Sequence, residues 1–359
     1  MRIAQVAPLW EQVPPPAYGG TEVVVSVLTD ELVKRGHEVT LFASGDSETL
    51  AKLEVGCDRA LRPLGILPPE YSIYEQMQLS KVFNRAGEFD VIHSHMDYAA
   101  LPYGSLSDTP VVHTIHGIFT SLTEQIFTQH RQENFVSISQ SQRQPHLGLN
   151  YVGTVYNAID THPFRFYSQA DDPPYLAFLG RMSVEKGPHL AIEIAKRTGL
   201  PLKMAGKVDF ENQVFFEREV EPYIDGKQIE FLGEANHQLK NELMGKAVAT
   251  LFPITWREPF GLVMIESLAS GTPVIAMALG SAPEIIVDGK TGFLCQTVED
   301  CVDAVAKLSQ INRQDCRRHV EENFSVQRMV DGYEAVYRQV LKDRFVTNGH
   351  LHTPVLAAS

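Results

Sequence analysis

Trp256-Arg257-Glu258-Pro259-Phe260-Gly261-Leu262-Val263-Met264-Ile265-Glu266-Ser267-Leu268-Ala269-Ser270-Gly271 follows an apolar, strand-like run, Ala249-Thr250-Leu251-Phe252-Pro253. Pro259 stands where a helix favours its first residue, because proline lacks an N–H that the first turn leaves unpaired anyway. Gly271 supplies the stop. A helix opening at Pro259 or Phe260 directs free backbone N–H groups and the positive end of its dipole beyond the strand, a combination that binds anions. Glu258 then sits on the rim of that anion site. Glu266 lies about 12 Å further along by helical rise and about 80° round, which suits two contacts on one extended ligand. Hydrolysis by a carboxylate pair would need roughly 5–10 Å across a single bond, so this spacing disfavours it. The plainer alternative makes Glu258 a helix cap and Glu266 a solvated helix residue.

The same strand–turn–helix rhythm runs through the chain on either side. Ile3 to Leu9 reads as a strand, followed by a proline-rich loop, Gly19-Gly20-Thr21-Glu22 and an amphipathic run to Arg35. Gly19 and Gly20 before a helix allow backbone N–H groups to approach a phosphate, or simply ease a helix entry; both readings stand. The G-x-G-x-x-G fingerprint of dinucleotide-binding dehydrogenases is missing. Further strands read at Glu38 to Ala43, Val91 to His93, Pro110 to Thr114, Phe135 to Ile138 and Val152 to Tyr156. After the polar, proline-bearing stretch Tyr167 to Pro174, a second series has strands at Tyr175 to Gly180, Leu202 to Ala205, Ile229 to Leu232, Thr250 to Phe252 and Val274 to Ala276. Alternation of this kind predicts an α/β fold of two doubly wound, Rossmann-like domains facing a central cleft, with ligands at the C-terminal ends of the strands. His95, Asp97 and His116 fall just past such ends. His95 and Asp97 are candidates for contacting an acceptor, or satisfied polar residues.

Bulk properties narrow the class. At 359 residues the chain fits two domains, and 44% apolar with 21% charged residues is a globular composition. The first residues read as a strand and no apolar run approaches the span of a bilayer, so a soluble, cytoplasmic protein is expected. Four cysteines without metal-ligand spacing predict reduced, structural thiols. A net charge of −13 argues against nucleic acid. Residues 1–170 hold 11 Lys+Arg against 18 Asp+Glu, a net −7.

Glu258-Pro259-Phe260-Gly261 with Glu266 seven residues beyond Glu258 resembles the retaining glycosyltransferases of the GT-B fold, family 4 (glycosyl transferase group 1). Gly180-Arg181-Met182-Ser183-Val184-Glu185-Lys186-Gly187 and Thr114-Ile115-His116-Gly117 fit the same family. On their own Arg181 and Lys186 could be two solvated surface cations. The resemblance implies that both, aided by the Gly19-Gly20 backbone, stabilise the departing diphosphate of a nucleotide-sugar donor. It also implies that Glu258 and the amides of Phe260, Gly261 and Leu262 hold the sugar, that Glu266 binds the ribose, and that His116 meets the sugar from the other domain. Asp209, in the loop after a strand, is a donor-base candidate. Asp46-Ser47-Glu48 is a poor metal motif, so neither metal nor cofactor is expected, the nucleotide-sugar being a substrate.

The expected reaction is transfer of a hexosyl group, first guess from UDP-glucose, to a soluble acceptor without strong membrane association, since a net-acidic half is repelled by anionic lipid. Two alternatives are a nucleotide-sugar epimerase and a non-catalytic nucleotide-sugar binding subunit. The expected boundaries are 1–168 for the acceptor-side domain, 169–325 for the donor-side domain, 326–345 for a helix packing back on the first domain, and 346–359 for a frayed tail.

Overall fold

The computed structural model describes residues 1–17 and 19–349, with side chains described to residue 343. Seven strands form the first sheet: β1 (Arg2–Val6), β2 (Glu38–Ser44), β3 (Lys52–Cys57), β4 (Val91–Ser94), β5 (Val111–Ile115), β6 (Asn134–Ser137) and β7 (Tyr151–Thr154), in the spatial order 3-2-1-4-5-6-7. Six form the second: β8 (Leu176–Leu179), β9 (Leu202–Ala205), β10 (Ile229–Phe231), β11 (Ala249–Phe252), β12 (Val274–Met277) and β13 (Gly292–Cys295), in the order 10-9-8-11-12-13. Every pairing is parallel. Helices cover the faces, which is why the central strands are buried along nearly all their length, polar residues such as Gln5, His93 and His113 included. Strand order reverses between β1 and β4 and again between β8 and β11, and a doubly wound sheet opens a ligand crevice at such a point.

Chain crossings join the halves. Residues 155–175 lead from β7 to β8, and the chain returns where Ser325 bridges Ile159 in parallel. The terminal helix, Val326–Gly349, then lies against the first sheet. Val326, Met329, Val330, Tyr333, Val336, Tyr337 and Val340 repeat every three or four residues and share one buried cluster with Val24, Leu28 and Leu32 of the helix Gly20–Lys34. Glu284, from the second half, spans the gap on the other side. Its carboxylate accepts the N–H groups of Gln140 and Ser141 at 2.8 and 2.7 Å and the Tyr156 hydroxyl at 2.9 Å. Among the described residues no helix is long and apolar enough to cross a membrane.

Several elements differ from expectation. β1 stops at Val6 rather than Leu9, because Pro8 has no N–H for the ladder. β3 and β13 were not anticipated. The first is an edge strand with three of its six residues half-buried, and the second is four residues opening on Gly292, where a Cβ would stand 2.0 Å from the Val274 carbonyl oxygen. The stretch Tyr167 to Pro174 is pinned rather than free, since Arg313 Nε donates to the Tyr167 carbonyl at 2.7 Å. The terminal helix continues past 345 to Gly349; residues 350–359, the rest of the expected tail, lie outside the described residues.

Candidate active site

Both switch points open onto one cleft of about 480 Å³ between the sheets. Gly20, Asp97 and His116 line it from the first half, and Arg181, Lys186 and Glu258 from the second. The expected helix is shorter than its sequence suggests: it spans Leu262–Ala269, and Gly261 precedes it with φ 80° and no side-chain cap. Left-handed backbone at that point requires glycine, and an added Cβ would lie 2.9 Å from both Met264 Cε and Phe252 Cζ. Pro259 and Phe260 therefore belong to the turn, whose shape is fixed by Ser281: its N–H donates to the Glu258 carbonyl at 3.0 Å and its hydroxyl to that of Phe260 at 2.6 Å. The uncapped first turn at Leu262 faces the cleft. Phe260 lines the cleft but is 98% buried, so only its edge is available there. Across the cleft the helix Gly20–Lys34 also starts without a side-chain cap, at Gly19 with φ 146°.

Lys186 and Glu258 meet because the loops after β8 and β11 are sewn together. Thr255 donates its N–H to the Glu185 carbonyl at 3.0 Å and its hydroxyl to Val184 at 3.2 Å. Lys186 Nζ then reaches Glu258 Oε2 at 2.5 Å, with the Trp256 ring centroid 4.9 Å away, and Trp256 Nε1 donates to the same carboxylate oxygen at 2.9 Å. Glu258 is buried. Arg181 is held by Glu185 at 2.9 Å and lies 3.9 Å from Asp209, which also pairs with Lys207 at 3.1 Å. Asp209 itself lines neither this cleft nor the pocket beside it, so its observed contacts are with these two cations. Among the described residues the buried Arg181 Nε has no hydrogen-bond partner.

A second, more apolar pocket of about 140 Å³ continues from the cleft past Gly19, Gly20, Leu262 and Val263 to Glu266. Its floor exists because Gly206, φ 150°, lets the chain press against β8: a Cβ there would stand 1.7 Å from the Gly180 carbonyl oxygen. Glu266 is paired with Lys240, a residue that the sequence reading missed. Lys240 sits on the helix His237–Gly245, whose N-cap Asn236 accepts from the Leu239 N–H. Glu258 and Glu266 thus each carry a lysine partner.

On the first-half wall, Asp97 adopts φ 44° and its Oδ1 accepts the N–H groups of His116 and Gly117 at 2.7 and 3.2 Å. Burial raises the Asp97 pKa and pushes the half-buried His116 imidazole down to about 4, so His116 is neutral. His95, expected to touch an acceptor, cannot reach one. It is 1% exposed, with its ring nitrogens 2.9 Å from Gln5 and from His116, so it stands behind the wall. Among the described residues no group of three His, Cys, Asp or Glu side chains could hold a metal ion.

Two family models match this chain: glycosyltransferase family 4 over residues 18–162 and glycosyl transferases group 1 over residues 161–324. A glycogen synthase of Mycobacterium tuberculosis is 25% identical, the match spanning 82% of each chain. Sucrose-phosphate synthase from Thermosynechococcus elongatus superposes with a TM-score of 0.80 at 18% identity, over 95% of this chain and 99% of that one. HepE of Anabaena, solved in complex with UDP and glucose, superposes with a TM-score of 0.72 at 18% identity, over 94% of this chain and 100% of that one.

Proposed function

Because the chain belongs to the GT-B glycosyltransferases of group 1 and family 4, we propose that it moves a hexosyl group from UDP-glucose to a hydroxyl of a soluble acceptor, with retention and without a metal ion. The observation that carries this reading is the pair of cations in the cleft. Arg181, whose buried Nε has no partner among the described residues, and Lys186 lie between two uncapped helix starts, so fixed positive charge converges where a diphosphate would leave. Those groups neutralise the leaving group, a role that a divalent metal fills in other transferases.

The ligand is elongated, and so is the cavity. Glu258 and the amides at Gly261 and Leu262 take the sugar hydroxyls, while the apolar pocket past Leu262 takes the nucleoside and Glu266 its ribose. His116 approaches the sugar from the opposite wall. The bond from the anomeric carbon to the diphosphate oxygen breaks, and the acceptor oxygen bonds to that carbon on the same face. The acceptor proton passes to the departing phosphate oxygen. UDP-glucose is the first donor to test, by frequency in the family and by the UDP and glucose bound to HepE. Trp10 and Asp97 face the acceptor side, and the net charge of −7 on residues 1–170 favours an acceptor free in solution over an anionic membrane surface.

A thermal-shift panel of UDP-, GDP- and ADP-sugars tests the donor, since a ligand of the native state raises the melting temperature. Incubation with acceptors, followed by NMR of the new anomeric proton, tests the stereochemistry. An inverted product sinks retention; the absence of a shift with every sugar diphosphate sinks the donor site.

A further inference from the structure

Beneath the His116 wall the terminal helix buries the Tyr337 hydroxyl under the first sheet. Tyr337 Oη lies 2.6 Å from His93 Nδ1 and accepts from Gln5 Nε2 at 3.1 Å. Gln5 Oε1 is 2.9 Å from His95 Nε2, and His95 Nδ1 is 2.9 Å from His116 Nε2. Tyr337, Gln5, His93 and His95 are all at most 1% exposed. A polar chain of this length in an otherwise apolar cluster is costly unless every member is satisfied, and packing alone would be served by apolar side chains. It ends on the one member that reaches the cleft.

The direction of the chain follows from the glutamine. An amide has a donor end and an acceptor end. With its nitrogen given to Tyr337, Gln5 offers only oxygen to His95, so the His95 proton sits on Nε2 and its Nδ1 is bare. His116 must then supply the proton between the two rings from its own Nε2. A neutral imidazole carries one N–H, which leaves His116 Nδ1 as an acceptor. Among the described residues no hydrogen bond takes that nitrogen.

We propose that the run Tyr337–Gln5–His95 is a positioning device that fixes His116 as its Nε2–H tautomer, so that it meets the substrate as a hydrogen-bond acceptor from a sugar hydroxyl. The terminal helix, which touches no part of the cleft through Tyr337, thereby sets the chemistry of a cleft residue. The role at the sugar rests on the glycosyltransferase reading; the tautomer does not.

The test is a long-range proton–nitrogen correlation spectrum of the full chain labelled with 15N-histidine, the His116 signal being identified by its loss in His116→Gln. The expected result is the Nε2–H pattern for His116, lost or mixed in Gln5→Leu and kept in Gln5→Glu, whose carboxylate still accepts from His95. Transfer by Gln5→Leu is expected to fall about tenfold, the scale of one hydrogen bond lost from a transition state, with Gln5→Glu retaining the greater part. If Gln5→Leu does not fold, Tyr337→Phe removes the partner that orients the amide and is read in the same way. An Nδ1–H pattern in the unaltered protein, or an unchanged spectrum and rate in Gln5→Leu, overturns the proposal. Should no donor support transfer, the spectrum still decides the relay while the functional reading falls separately.

Discussion

Changing Lys186 to Met and Glu258 to Gln, singly and together, separates what this ion pair does for the fold from what it does for transfer. Glu258 is 7% exposed, and its Oε2 holds the Lys186 ammonium at 2.5 Å and the Trp256 N–H at 2.9 Å. Removing one partner of a buried pair costs about 3–5 kcal/mol when the survivor is left bare. Here the carboxylate keeps the indole N–H and the lysine side chain is 19% exposed, so Lys186→Met is expected to cost less, about 2 kcal/mol. Glu258→Gln leaves a cation beside an indole face and should cost about 1–2 kcal/mol. The double change removes both charges, so its cost should fall short of the sum by about 1–2 kcal/mol. Urea unfolding followed by Trp256 fluorescence in a Trp10→Phe background reads the cycle locally. Initial rates in the native background should fall about 10²–10³-fold for Lys186→Met, the scale of one lost charge-stabilising group. Single costs that add within about 0.5 kcal/mol, or transfer within tenfold of the parent, would refute the coupling and the leaving-group role respectively.

Gly261→Ala forces a side chain into left-handed backbone against Met264 and Phe252, and calorimetry should show a loss of about 1–2 kcal/mol with reduced transfer. Lys240→Met leaves Glu266 without its cation, so the Michaelis constant for the donor should rise several-fold with little change in kcat, as for lost ground-state binding; an unchanged constant would remove Glu266 from the nucleotide site. Glu284→Gln retains one acceptor oxygen for the two amides at Gln140 and Ser141, and small-angle scattering should report a larger radius of gyration than in the parent. Burial raises the Glu22 pKa to about 7, above its unfolded value near 4.5, so its contribution is full below pH 4.5 and is lost as the pH rises to 7. Glu22→Gln should therefore be more stable than the parent at pH 8 than it is at pH 5, by an amount that melting curves at the two pH values compare directly.

What the chain reveals locally and what it hides follow a physical division. The strand before Trp256, Arg181 and Lys186 between β8 and its helix, and His116 after β5 are all marked by residues within about ten positions, because they are set by turn chemistry and strand ends. Lys240 and Glu266 are 26 residues apart, and Gln5 and Tyr337 are 332 apart. Such pairs depend on how two helices or a helix and a sheet dock, which periodicity does not encode. His95 shows the same division: its position just past β4 left it either an acceptor contact or a satisfied polar residue, and docking tucks it between Gln5 and His116. The start at Leu262 rather than Pro259 was decided by Gly280, where a Cβ would lie 2.3 Å from the Glu258 nitrogen, and by Ser281, neither adjacent in sequence.

The terminal helix has a bearing on the order of synthesis. Val24, Leu28 and Leu32 leave the ribosome well ahead of their partners Met329, Tyr333 and Tyr337. At 5–20 residues per second, about 15–60 s separate the two sets. During that interval one face of the first sheet is only partly covered and His93 lacks the Tyr337 hydroxyl, while by its end the second sheet, residues 176–295, already has its strands. The first sheet is therefore completed after the second, and a nascent chain stalled before residue 326 would carry the Arg181 and Lys186 cations facing an unfinished wall.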